Sequence, residues 1–222
     1  MLTSIITPAF NAAKTLRRAH ESVQKQTLAS WEHIIIDDGS TDETREVLSD
    51  LCTDRRVIVT GAPNGGEAAA LNLGIRLSSG EYVGFLDADD EYLPDHIEAH
   101  VAELGTPTDV DLLWGGLEVI AGSPDDLLVP DVEAGTGYIS VHECVCQGTL
   151  FGKRAVFENV GFTADRAVWW QDYDFFQRAK KVYTVRKFER PTYRYYRNSG
   201  ASLVDRVKGN WNAARSATGR SG

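Results

Sequence analysis

Residues 80–90 read GEYVGFLDADD, and the apolar run Tyr82 to Leu86 stops at three carboxylates, Asp87, Asp89 and Asp90. Like charges this close repel and raise one another's pKa, so the cluster costs energy unless a cation joins it. Two chemistries fit the pattern. One is a solvated turn capping the next helix; the other is a hard divalent cation, Mn2+ or Mg2+, held by carboxylate oxygens. Further along, WWQDYDFF (169–176) sets Trp169, Trp170 and Gln171 beside Asp172 and Asp174 at the start of a helical pattern. Acids there complement the helix dipole, and Trp faces either fill a core or stack on sugar rings. If VHECVC is a strand, His142, Cys144 and Cys146 share one face, as plain buried or edge residues or as metal ligands.

The elements that must position these groups follow from hydrophobic periodicity. Strands are expected at 2–6, 31–36, 56–60, 82–86 and 111–119. Helices are expected at 12–25, capped by Asn11, at 41–50 behind a Ser40/Glu43 capping box, at 67–78, and from Pro94 to about Leu104. Strand and helix alternate four times, the mark of βαβ units around a largely parallel sheet. Ligands in such sheets bind at the carboxyl ends of strands, and three strands end in TPAFN, DDGS and DADD. Residues 120–140 read as loop, 148–161 as strand then helix, 169–181 as helix, 182–188 and 192–197 as strands. The basic tail 206–222 reads as frayed. The expected division is a βαβ half over 1–120, a second half of the same domain over 121–205, and that tail.

At 222 residues with a net charge of −9 and a pI near 5.0, the chain suits one generous domain. Its charge argues against a nucleic-acid binder and against electrostatic membrane anchoring. No apolar run approaches the roughly 20 residues of a spanning helix. The start, MLTSIITPAFN, lacks the basic region of a signal peptide. Three cysteines without framework spacing predict reduced thiols in a cytoplasmic protein.

The turn after the first strand, TPAFNAA, has no glycine, which removes the dinucleotide fingerprint, and no Walker loop is present. The ordered set SIITPAFNAAKTLRRAHESVQKQT, WEHIIIDDGSTDET, PNGGEAAALNLGIRLSSGEYVGFLDADDEY resembles the nucleotide-binding half of family 2 glycosyltransferases, which have the GT-A fold. The resemblance covers residues 2–120 and continues through GTLFGKRAVFENVGF, QDYDFFQRA and YRYYRNSGASL to about 203.

It implies a metal-dependent, inverting transfer of a sugar from a nucleotide-sugar donor, a UDP-sugar first, to a hydroxyl acceptor such as a glycan or lipid-linked saccharide. It implies that Thr7, Pro8 and Phe10 line the base and ribose pocket, that Asp38 binds the base, and that Asn64 and Gly65 open the loop closing over the nucleotide. Asp87 and Ala88 would lie on the nucleotide side, Asp87 and Asp89 at the metal, and Asp172 would be the catalytic base. Trp169, Trp170 and Gln171 would face the acceptor. Gln171 stands where the family carries a glutamate, and Asn198 near where many relatives carry a metal-binding histidine. The rival reading is a catalytically weak nucleotide-sugar-binding module or a partner subunit of another glycosyltransferase; homo-oligomerisation is left open.

Overall fold

The computed structural model describes residues 1–105, 109–165 and 170–197. Along the chain run β1 (Thr3–Ala9), α1 (Leu16–Gln24), β2 (Trp31–Asp37), α2 (Thr44–Leu51), β3 (Val57–Gly61), α3 (Glu67–Leu77), β4 (Tyr82–Phe85) and β5 (Glu91–Tyr92). Then come α4 (His96–Gly105), β6 (Leu112–Trp114), β7 (Leu117–Ile120), β8 (Leu128–Pro130), β9 (Tyr138–Ser140), β10 (Phe151–Lys153), α5 (Arg154–Val160), α6 (Gln171–Ala179), β11 (Val185–Lys187) and β12 (Tyr193–Tyr196).

Seven strands form the main sheet in the order β11-β6-β10-β4-β1-β2-β3. The run β4-β1-β2-β3 is parallel, and β10 enters antiparallel between β4 and β6. Strands from both halves of the chain therefore share one sheet. Successive side chains alternate between its faces. Ile6, Ile34, Val83 and Phe85 pack under α3, α5 and α6, while Ile5, Tyr82, Leu113 and Phe151 pack with α1 and α4. Burial on both faces explains why the parallel strands read as continuous apolar runs. A second sheet, β5-β12-β7, and the β8–β9 hairpin complete the fold.

The strand expected at 111–119 is broken. Gly115 and Gly116 take φ of +98° and +75°, a region open to glycine, and the chain leaves the main sheet at β6 to enter the small one at β7. The expected caps also differ. Asn11 lies in the left-handed region, φ 52°, and its Oδ1 accepts from the Thr41 amide at 2.8 Å instead of capping α1. The Ser40 hydroxyl accepts from the Asn11 amide at 2.9 Å. Asp42 takes over at the start of α2, accepting from the Thr44 amide at 3.1 Å. These side chains tie the β1 and β2 loops to each other, a partnership invisible to local spacing. The region 120–140, expected as loop, holds β8 and β9.

Candidate active site

The carboxyl ends of β1 and β4, the hairpin and the start of α6 enclose a cleft of about 1350 Å³. Asp87, Ala88 and Asp89 follow β4 in a turn and line it. The three acids of DADD have separate fates. Asp89 is exposed, Asp87 half-buried, and Asp90 fully buried. Asp90 accepts from the Tyr193 hydroxyl at 2.7 Å and from the Tyr196 amide at 2.8 Å. The Tyr193 hydroxyl in turn accepts from the Asp87 amide at 3.2 Å. Asp90 is thus a latch between the β4 turn and β12, and burial together with Asp89 pushes it up to about 8.

Asp87 is pushed well up by burial and by the neighbouring charges of Asp90, Glu67, Asp89 and Asp172. Asp89 is raised by desolvation. Negative charge crowded at one point, on oxygen ligands alone, is the donor chemistry of a hard divalent cation. Among the described residues no group of three His, Cys, Asp or Glu is arranged to hold a metal by itself. The pair Asp87 and Asp89 therefore fits a cation that takes its remaining oxygens from a ligand.

Asp172 stands in the first turn of α6 and lines the same cleft. Burial raises it to about 6, against the hydrogen bond from the Tyr173 amide at 2.8 Å. Asp174, two residues on, is turned away. It accepts from Thr163 at 2.7 Å and from Arg178 at 3.0 and 2.8 Å. Trp170 and Gln171 line the cleft; Trp169 and Asn198 lie outside the described residues.

Pro8 and Phe10 line the cleft, with Phe10 51% exposed. Thr7 does not. Strand alternation turns its side chain to the α1 face, where its hydroxyl lies 2.9 Å from His33 Nε2, and His33 Nδ1 meets His20 Nδ1 at 2.9 Å. Asp38 is buried, and its carboxylate accepts from the amides of Gly65 and Gly66 at 2.7 and 2.9 Å. It shapes the Asn64–Gly65 loop, which lies outside the lining of the cleft. Arg194 is held by Glu118 and Glu91, and Arg197 is buried.

Two site residues escaped sequence reasoning. The Gln147 side chain donates to Asp87 Oδ1 at 3.0 Å, and Gln147 lines the cleft beside Asp172. Glu67 heads α3 and accepts from Gln171 Nε2 at 2.6 Å. Confinement in the cleft, then the charges of Asp172 and Asp89, push it up to about 7. No spacing signal marks Gln147; Glu67 carried one weak signal, an acid following the PNGG turn.

The sequence matches the family model described as Glycosyl transferase family 2 over residues 4–122. The chain belongs to glycosyl transferase family 2. A UDP-Glc:alpha-D-GlcNAc-diphosphoundecaprenol beta-1,3-glucosyltransferase, WfgD of Escherichia coli, is a family relative 33% identical over 119 residues, 54% of this chain and 47% of that protein. An uncharacterized glycosyltransferase of Rickettsia typhi is 30% identical over 193 residues, 83% of this chain and 60% of that one. The chain thus spans about half the length of these curated relatives. Among solved structures, S. aureus TarS 1–349 in complex with UDP-GlcNAc superimposes with a TM-score of 0.68 at 20% identity, covering 90% of this chain and 60% of that one. The mannosyltransferase PcManGT of Pyrobaculum calidifontis, in complex with GDP-Man and Mn2+, gives 0.68 at 19% identity over 99% and 64%. These likenesses establish the GT-A fold for this family member. No helix among its described residues is long and apolar enough to cross a membrane.

Proposed function

We propose that the cleft binds a nucleotide sugar, a UDP-sugar first, and that the chain transfers the sugar with inversion to a hydroxyl of a glycan or lipid-linked saccharide. One observation carries the reading. Asp172 and the Asp87/Asp89 pair line one cleft, with Gln147 between the segments donating to Asp87. The UDP-GlcNAc bound to TarS and the UDP-Glc in the name of WfgD support uridine.

Asp87 and Asp89 would hold Mn2+ or Mg2+, and a cation bound there offsets the charge gathering on the departing diphosphate. Pro8 and Phe10 flank the base, Ala88 lies against the nucleotide, and Asp38 keeps the Asn64–Gly65 loop in shape. Asp172 takes the proton of the acceptor hydroxyl as that oxygen bonds to the anomeric carbon and the bond to the diphosphate breaks. Attack from the face opposite the leaving group inverts the centre. A carboxylate raised to about 6 is ionised at neutral pH and is a stronger base than an ordinary aspartate. Trp170 presents an aromatic wall to the acceptor. Glu67 supplies from α3 the carboxylate that Gln171 does not carry.

Calorimetry with UDP and with GDP, each with and without manganese, tests donor binding. Proton NMR of the anomeric centre in the product tests inversion. Metal-independent binding or a retained configuration would overturn the respective step. Binding without turnover on any acceptor would instead support the binding-module reading, which the Gln171 replacement favours.

A further inference from the structure

The wall of the cleft opposite the β1 loop contains two thiols that the transfer chemistry does not use. Cys144 and Cys146 both line the cleft, both are partly buried and free, and their Sγ atoms lie 3.2 Å apart. The Cys144 thiol also reaches the Val141 carbonyl at 3.3 Å. Val145 between them is turned into the core, so the two sulfurs share the open side of the segment. Packing alone would accept any small apolar pair here. It does not account for two sulfurs meeting in the wall of a cleft that carries carboxylates. The next residue is Gln147, whose side chain donates to Asp87 Oδ1. The Cys146 carbonyl anchors the turn that follows, accepting from the amide and the hydroxyl of Thr149 at 2.9 and 2.7 Å.

We infer that Cys144 and Cys146 are a reversible oxidation site that closes to an intramolecular disulfide and loosens the hold of Gln147 on Asp87. A disulfide needs its sulfurs at about 2.05 Å, so closure draws this pair together by roughly 1 Å. The oxidant is a small-molecule disulfide. The Cys144 thiolate attacks one of its sulfurs, forming a mixed disulfide and expelling one small thiolate. The Cys146 sulfur then attacks Cys144 Sγ, forming the protein disulfide and expelling the second. The two cysteine protons end on the two released thiols, and two electrons pass from the protein to the oxidant. Contact with Cys144, burial, and the Asp172 and Asp87 charges keep the Cys146 thiol protonated, which makes Cys144 the sulfur that attacks first.

The test uses the full chain with Cys52→Ser, because Cys52 is exposed and would cross-link molecules. The protein is incubated with oxidised glutathione and then with dithiothreitol. The expected result is a mass loss of two hydrogens without retained glutathione, a Cys144–Cys146 link on peptide mapping, and full reversal by the reductant. Hydrogen exchange at the Thr149 amide, held by the Cys146 carbonyl, should quicken on oxidation, and manganese-dependent UDP affinity should fall by about 10–100-fold, the scale for losing a group that orients a metal ligand. Adding Cys144→Ser and Cys146→Ser should abolish all these changes. An unchanged mass, or glutathione retained without closure, overturns the oxidation site. Closure with unchanged exchange at Thr149 and unchanged UDP affinity overturns its coupling to Asp87. A reduced protein that binds no UDP would defeat the nucleotide reading alone, since mass and exchange still decide this one.

Discussion

Gln147 donates its side-chain amide to Asp87 Oδ1 at 3.0 Å across 60 residues of chain. The segment carrying it lines the same cleft as Asp172. Gln147→Ala should deprive Asp87 of its donor and leave Asp172 its bond from the Tyr173 amide. Turnover should fall about 10–100-fold, as when a group orienting a metal ligand is removed, with the melting temperature nearly kept. Gln147→Glu should do worse by adding charge to a crowded carboxylate. Steady-state kinetics with both variants decides this; wild-type turnover in Gln147→Ala would remove Gln147 from the positioning machinery.

Asp172→Asn and Asp174→Asn should separate chemistry from structure. The first keeps size and hydrogen bonding but accepts no proton, and turnover should drop by about 10²–10⁴ with UDP affinity intact. The second weakens the Thr163 and Arg178 bonds and should cost about 1 kcal/mol of stability, for a partly exposed pair, while leaving turnover in place. The opposite pattern would make Asp174 the base.

Asp89 and Asp90 are adjacent, yet their substitutions should act on different quantities. Asp89→Ala removes an exposed carboxylate, so the fold persists while manganese-linked UDP binding is lost. Asp90→Asn acts on stability. A carboxyl raised from 3.8 to about 8 by burial and Asp89 is favoured by the fold when protonated. Its ionisation works against folding as pH rises through that window. The asparagine, which cannot ionise, should raise the metal-free melting temperature at pH 8 by roughly 2–4 °C, equivalent to about 1 kcal/mol in a domain of this size. A lowered melting temperature would show that the charge itself holds Tyr193 and Tyr196.

Four histidines are buried: His20, His33, His96 and His100. Burial lowers each below its ordinary value, with His20 adding to the effect at His33, His100 to that at His96, and His100 pushed to about 4. The folded state holds them neutral, whereas the unfolded chain protonates them near 6.5. Stability is therefore full above that pH and declines as pH falls towards the folded values. For His100 alone the displacement from 6.5 to about 4 corresponds to roughly 3 kcal/mol. The raised carboxyls act in the opposite sense over the same range, so the test is a difference: the urea midpoint of the wild type relative to that of His100→Phe should fall from pH 8 to 6 to 5. A difference independent of pH between 8 and 5 would contradict neutral burial of His100.

The local pattern of the chain determined the alternation of β1 to β4 with α1 to α3, and with it the parallel GT-A core. Apolar periodicity is local, and burial on both faces leaves an unbroken hydrophobic run in each strand. The same pattern placed Asp87 and Asp89 at a strand end. Only the tertiary structure decided which acid became a latch, because the partners of Asp90, Tyr193 and Tyr196, lie 103 and 106 residues away. It turned Thr7 from the cleft to His33, since pleat alternation assigns each strand residue one face and the sheet's neighbours decide what waits there. It split 111–119 at Gly115 and Gly116, where the chain changes sheets. It brought Gln147 and Glu67 into the site, the first from a segment whose spacing announces no chemistry, the second with only the weak signal of an acid after the PNGG turn. A hydrogen bond between distant segments is set by how the sheets and helices pack, and periodicity carries no record of it.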